Sequence, residues 1–126
     1  MNTELNGRRI LVVEDDYLVA SLIQDVLESV GCVVSGPIPR LPQAVGAAEA
    51  DTCDAAVLDV NLGGNQVFPV AEVLSRRQIP FVFVTGYGAN MLPDEHHGRP
   101  MIRKPFRIDE LLSVVADLVK PAEPAK

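Results

Sequence analysis

The sequence contains no tryptophan, and aromatic residues make up only 5% of its 126 residues. Any core must therefore be built mainly from aliphatic side chains. Cysteine is nearly absent: Cys32 and Cys53 stand alone in apolar company. This excludes a disulfide scaffold or a thiolate metal centre and fits reduced thiols in a cytosolic protein. Basic residues are outnumbered, with 11 Lys and Arg against 17 Asp and Glu, for a net charge of −6. Binding to nucleic acid needs a basic footprint, and so does adhesion to anionic membranes; this chain offers neither. No long hydrophobic run occurs. The first apolar stretch stops at Glu14, far short of the roughly 18 residues that suggest a membrane span. A cytoplasmic protein is expected. The length fits one domain over 1–126, with a core at about 8–119 and a frayed tail over 120–126.

What is present alternates. Short runs rich in β-branched residues, Ile10–Val13, Cys32–Val34, Ala55–Leu58, Phe81–Val84 and Met101–Arg103, suggest five strands. The second is expected to be cut off by Gly36, Pro37 and Pro39. Helical spacing appears between the strands. Leu18, Val19, Leu22, Ile23, Val26, Leu27 and Val30 form one stripe, with Gly31 placed as its C-terminal cap. A weak Ala-rich helix spans Leu41–Ala50. A third covers about Gln66–Arg77, with Pro69 in its first turn, and a last runs from Ile108 to Val119. Arg8, Arg9, Arg76 and Arg77 are expected as solvated ends, and Phe106 as a core residue beside Ile108. Near-continuous apolar strands alternating with helices mean a doubly wound parallel α/β sheet covered on both faces. One crossover is poor in helix signals. GYGANMLPDEHHGRP, residues 86–100, is expected to hold a reduced, mobile fourth helix, with His96 and His97 as a solvated pair.

In such sheets ligands sit at the carboxyl ends of the strands. There the first strand delivers Glu14 and Asp15, the third Asp59, the fourth Thr85 and Gly86, and the fifth Lys104 and Pro105. Three adjacent carboxylates repel one another, and a hard divalent cation relieves that repulsion. Oxygen-only ligands suit Mg²⁺ rather than zinc. Carboxylates, Mg²⁺, a lysine and a hydroxyl are together the equipment of phosphoryl transfer, with Asp59 as the nucleophile. Taken singly, Asp59 would be an ordinary turn cap.

Four stretches, ILVVEDD (10–16), AAVLDVNLGG (55–64), FVFVTGYG (81–88) and RKPF (103–106), occur in this order on these elements. Through them the chain resembles the receiver domain of two-component response regulators over Arg8–Val119. The resemblance implies a flavodoxin-like sheet of order 2-1-3-4-5 and phosphorylation on Asp59 by a histidine kinase or histidine phosphotransferase. It implies a Mg²⁺ site formed by Asp15, Glu14, Asp59 and the backbone carbonyl of Asn61. It makes Thr85, with Gly86, the switch position, Lys104 the phosphoryl partner, and Pro105 a proline after a cis bond. Asn61 and Tyr87 would set the dephosphorylation rate. PFVFVTGYG is also similar to an alphaproteobacterial subgroup of stand-alone receivers with a Phe-Ala-Thr-Gly motif, often partnered with HWE-type kinases. Val84 stands where that motif has Ala. Met101 replaces the usual Tyr or Phe three residues before the lysine, so a rotating aromatic relay does not carry over.

The resemblance thus implies a cytoplasmic signalling switch rather than an enzyme. No output domain is expected after the last helix, so the protein would act on a downstream partner or pass phosphoryl groups on. Its contact face would be the 86–100 segment, the fifth strand and the last helix, and phosphorylation would order that segment around Thr85 and Tyr87. Three other readings meet objections in the sequence. A receiver-like interaction module that is never phosphorylated is opposed by the intact residue set. An aspartate-nucleophile phosphatase would carry an acid two residues past Asp59, where Asn61 stands. A flavodoxin-like cofactor binder would need a phosphate loop where Glu14-Asp15-Asp16 would repel phosphate.

Overall fold

The computed structural model describes residues 4–86 and 92–120. Five parallel strands form the central sheet: β1 (Arg9–Val13), β2 (Val33–Ile38), β3 (Ala55–Asp59), β6 (Phe81–Thr85) and β7 (Met101–Arg103). Their order is β2-β1-β3-β6-β7. Counting these strands alone, that is the expected 2-1-3-4-5. Strands β4 (Asn61–Leu62) and β5 (Asn65–Gln66) form a small antiparallel hairpin outside the sheet. The helices are α1 (Tyr17–Ser29), α2 (Leu41–Ala50), α3 (Phe68–Arg76) and α4 (Ile108–Val119).

The strands are apolar along their length because both faces are covered. β3 and β6 are buried at every position. Alternate residues point to opposite faces. Ile10, Val12, Val57, Val82 and Val84 join Ile23, Leu27, Leu111 and Val115 of α1 and α4 in one core. Leu11, Val13, Leu58, Phe81 and Phe83 join Ala44, Ala48, Val70 and Leu74 of α2 and α3 in the other.

Several expectations are corrected. Strand β2 does not stop at Gly36; it runs through Gly36 and Pro37 to Ile38, with a register shift opposite Leu11–Val13. An edge strand tolerates proline and a bulge, because one side of its ladder needs no partner. Helix α3 begins at Phe68 rather than Gln66, since Asn65 and Gln66 pair in the hairpin. Leu18, Leu22 and Ile108 fit the helical stripes but are exposed, at 78%, 42% and 50%. Phe106 packs against the first core while half-buried. Arg77 is not a free end: its Nη1 donates to the Ala48 and Asp51 carbonyls at 2.6 and 2.8 Å, fastening the end of α3 to the end of α2.

Between β6 and β7 the described residues, 92–100, carry one 3₁₀ turn, Asp94–His96. His96 is buried and only His97 is exposed, so the pair is not jointly solvated. Leu92 is buried in the second core.

Gly36 has φ +99°, and a Cβ there would stand 2.7 Å from the Val12 carbonyl oxygen. A left-handed L-residue costs about 1–2 kcal/mol before any clash. Gly36→Ala is therefore expected to lower the unfolding free energy by at least that much, read as a lower urea midpoint with the slope of the transition unchanged.

Candidate functional site

The register of the sheet brings the functional side chains together. Val13 lies beside Leu58, Asp59 beside Val84 and Thr85 beside Arg103. The residues that end these strands, or directly follow them, therefore share one edge. Glu14, Asp59 and Thr85 are buried there, while Asp15 is exposed. One carboxylate oxygen from each of Glu14, Asp15 and Asp59 lies within 4.8 Å of the others. Lys104 reaches across the sheet end, its Nζ 3.0 Å from Glu14 Oε1 and 3.5 Å from Asp59 Oδ2. Glu14 Oε1 has no other partner. An open cleft of about 450 Å³ lies above, lined by Asp15, Asp59, Asn61, Thr85, Gly86 and Lys104 among others.

Local hydrogen bonds fix these groups. Asp16 caps α1, accepting from the Leu18 and Val19 N–H groups, and its own N–H donates to Glu14 Oε2. Asp15 Oδ2 accepts from the Gly63 N–H at 2.8 Å. Asn61 Oδ1 accepts from the Gly64 N–H at 2.9 Å, and the Asn61 N–H donates to Asp59 Oδ1 at 3.3 Å. The Lys104 N–H donates to the Thr85 carbonyl at 2.8 Å. The Lys104–Pro105 peptide bond is cis. Met101 is half-buried and packs against the second core. Tyr87 lies outside the described residues.

Sequence reasoning missed Gly63 and Asp16. Asp16 had a signal, since it stands just before an apolar helical stripe, where N-caps occur. The Gly63-Gly64 pair signalled a turn, but nothing in the sequence tied that turn to Asp15.

Burial pushes the Asp59 carboxyl up to about 8, helped by the hydrogen bond and charge of Glu14 and opposed by Lys104 and the Asn61 N–H. Burial alone would lower the Lys104 ammonium. The hydrogen bonds and charges of Glu14 and Asp59 outweigh it, and the net shift is upward. The site thus holds more negative charge than one ammonium neutralises. An all-oxygen donor set with this excess suits a hard divalent cation.

The description "Response regulator receiver domain" matches residues 10–116. This chain belongs to the response regulator receiver family. The receiver is 34% identical over 116 residues to the transcriptional regulatory protein TcrA of Mycobacterium tuberculosis, covering 86% of this chain and 45% of TcrA. The chain thus spans less than half the length of that relative. Among solved structures it is similar to SdrG from Sphingomonas melonis Fr1, at 38% identity and TM-score 0.72, covering 90% of this chain and 98% of SdrG. A BeF3-activated form of SdrG matches at 36% identity and TM-score 0.75, covering 95% and 100%. The receiver domain of the sensor histidine kinase PA1611 from Pseudomonas aeruginosa PAO1 matches at 25% identity and TM-score 0.74, covering 90% and 98%; that protein has a magnesium ion coordinated in its active-site cleft. Receivers are in general signalling switches. No helix among the described residues is long and apolar enough to cross a membrane.

Folded Asp59 keeps its proton up to about pH 8, whereas an unfolded aspartate releases it near pH ~4. The group therefore favours the fold in acid, and this contribution is lost as pH rises through that window. Asp59→Asn replaces the protonated acid with a neutral amide that can still donate to Glu14. In metal-free buffer the variant is expected to be more stable than wild type at about pH 9 and nearly equal to it at about pH 4. Urea unfolding at both pH values measures this.

Proposed function

We propose that the protein is a phosphorylation-operated switch in which Asp59 accepts a phosphoryl group from a phosphohistidine of a histidine kinase or histidine phosphotransferase. The observation that carries this reading is the convergence of three carboxylates with Lys104 on a cleft floored by Asp59. The domain concerned has its core at about residues 8–119.

Glu14, Asp15 and Asp59, with the Asn61 backbone carbonyl, fit Mg²⁺: the donors are all oxygen, and burial, helped by the neighbouring Glu14, keeps a proton on Asp59 when no cation is there to replace it. When bound, Mg²⁺ supplies positive charge that stabilises the ionised nucleophile and the phosphoryl oxygens. The protein's own residues do the rest. An Asp59 carboxylate oxygen attacks phosphorus, the P–N bond to the donor histidine breaks, and the imidazole nitrogen leaves with its electron pair. Lys104, already 3.5 Å from Asp59 Oδ2, neutralises a phosphoryl oxygen. The Thr85 hydroxyl and the Gly86 backbone at the cleft line the phosphoryl position. Asn61, and Tyr87 beyond Gly86, set how readily water removes the group. Pro105 fixes the turn after Lys104.

The Asn61 side chain accepts from Gly64 and closes the hairpin. It offers no acid for the leaving group of a phosphate ester, which weighs against a general phosphatase. The switch acts on a downstream protein, with HWE-type kinases as candidate donors and the cytoplasm as its place of action. The BeF3-activated state of SdrG gives a precedent for such switching in a similar chain.

With Mg²⁺ and acetyl phosphate, intact mass spectrometry is expected to show one added phosphoryl group that hydroxylamine removes. Asp59→Asn should abolish the addition. Lys104→Ala should slow it by about 10²-fold or more, the scale of losing one charge aimed at the transferring group. Phosphorylation of Asp59→Asn to the wild-type extent would sink the reading.

A further inference from the structure

His96 is the one histidine buried in the described structure; it is 4% exposed, while the adjacent His97 faces solvent. Its ring stacks on Phe68 of α3, with centroids 5.4 Å apart and planes at 15°. It meets the edges of Phe83 and Phe81 of β6 at 5.3 and 6.4 Å. Both ring nitrogens are buried without a hydrogen-bond partner among the described residues. Glu95 Oε1 stands 3.8 Å from Nε2, beyond hydrogen-bonding reach. The imidazole therefore serves as a fourth member of an aromatic cluster, although one nitrogen always carries a proton and the other a lone pair.

The charged groups around it come from two sides. Helix α3 presents Glu72 and Arg76, and the histidine's own segment presents Glu95 and Arg99. Strand β6 presents only the phenylalanines. Arg99 lies over the Phe81 ring at 4.7 Å and donates to Ser75 of α3 at 2.8 Å, so a guanidinium already occupies part of this pocket.

We propose that His96 is a proton-operated latch: as the neutral ring it fastens residues 92–100 to β6 and α3, and as the imidazolium it lets them go. A proton from bulk water adds to the ring lone pair, and no other bond changes. Burial lowers the affinity of the docked ring for that proton, Arg99 lowers it further, and Glu95 and Glu72 oppose them. The released ring therefore takes up the proton first. Docking weakens as pH falls below about 6.5, the value of a free histidine. Two details single out this residue for the role. The segment's other apolar anchor, Leu92, cannot titrate. An aromatic that only filled space would leave no buried nitrogens unpaired. The segment rejoins the sheet at β7, directly before Lys104. Acid release would therefore loosen one support of the site; this consequence rests on the phosphoacceptor reading, whereas the latch itself does not.

The test is amide hydrogen exchange over residues 92–100 in the unphosphorylated, metal-free protein, corrected for intrinsic rates, at about pH 7.5 and pH 5.5. Wild type is expected to lose about tenfold protection at the lower pH. His96→Phe, which keeps the aromatic contact and removes the titration, should be equally protected at both, and His97→Gln should behave as wild type. The His96 ring resonances should titrate with a midpoint below that of a free histidine, about 6.5. Equal acid loss in wild type and His96→Phe would overturn the latch. So would a His96 midpoint at or above about 6.5. If His96→Phe does not fold, wild type decides: protection lost along the His96 titration supports the latch, and protection unchanged through it refutes it. Neither phosphate nor metal is present, so failure here leaves the role of Asp59 untouched.

Discussion

Buried negative charge at the end of the sheet is the constraint around which this protein is organised. Glu14 and Asp59 are almost fully enclosed, and among the described residues only Lys104 pairs with both. Burying carboxylates is costly unless they are paired, neutralised by a proton or bound to a cation. The structure uses the first remedy incompletely and the second at Asp59, whose carboxyl is pushed up to about 8. What remains is a standing demand for positive charge, directed into an open cleft. The rigid parallel sheet keeps that demand from relaxing, because the strands holding Glu14 and Asp59 are enclosed by helices on both faces. A softer scaffold would let the carboxylates turn to water and the cleft would lose its concentrated charge.

The fold was largely legible because its strands are short, apolar and bounded by turn residues, and its helices show a clear stripe. The site was legible for a related reason. In a parallel sheet, chemistry gathers where strands end, so residues far apart in sequence could be placed together before any coordinates were known. Failures came where tertiary context overrode local signals. Gly36 and Pro37 suggest a stop, yet an edge strand absorbs them. The histidine pair suggests a solvated loop, yet one imidazole packs on Phe68, Phe81 and Phe83. Leu18 and Ile108 keep helical spacing but sit at the first turns of their helices, where the stripe has run past the core.

The hairpin after β3 shows how a small motif contributes beyond its size. Two consecutive glycines with positive φ turn the chain so that the Gly63 and Gly64 N–H groups face Asp15 and Asn61. The loop is thereby joined to the acidic cluster from above, while Asp16 joins it to α1 from the side. Asp15, the one exposed member of the cluster, is held in place without being buried.

Lys104 donates its backbone N–H to the carbonyl of Thr85, one rung beyond the β6–β7 pairing of Thr85 with Arg103. The hydroxyl and the ammonium are thus spaced by the sheet, not by the chain that connects them. That connection is free to diverge in length and composition, taking on new surfaces and new sensitivities, while the distance across the cleft stays constant.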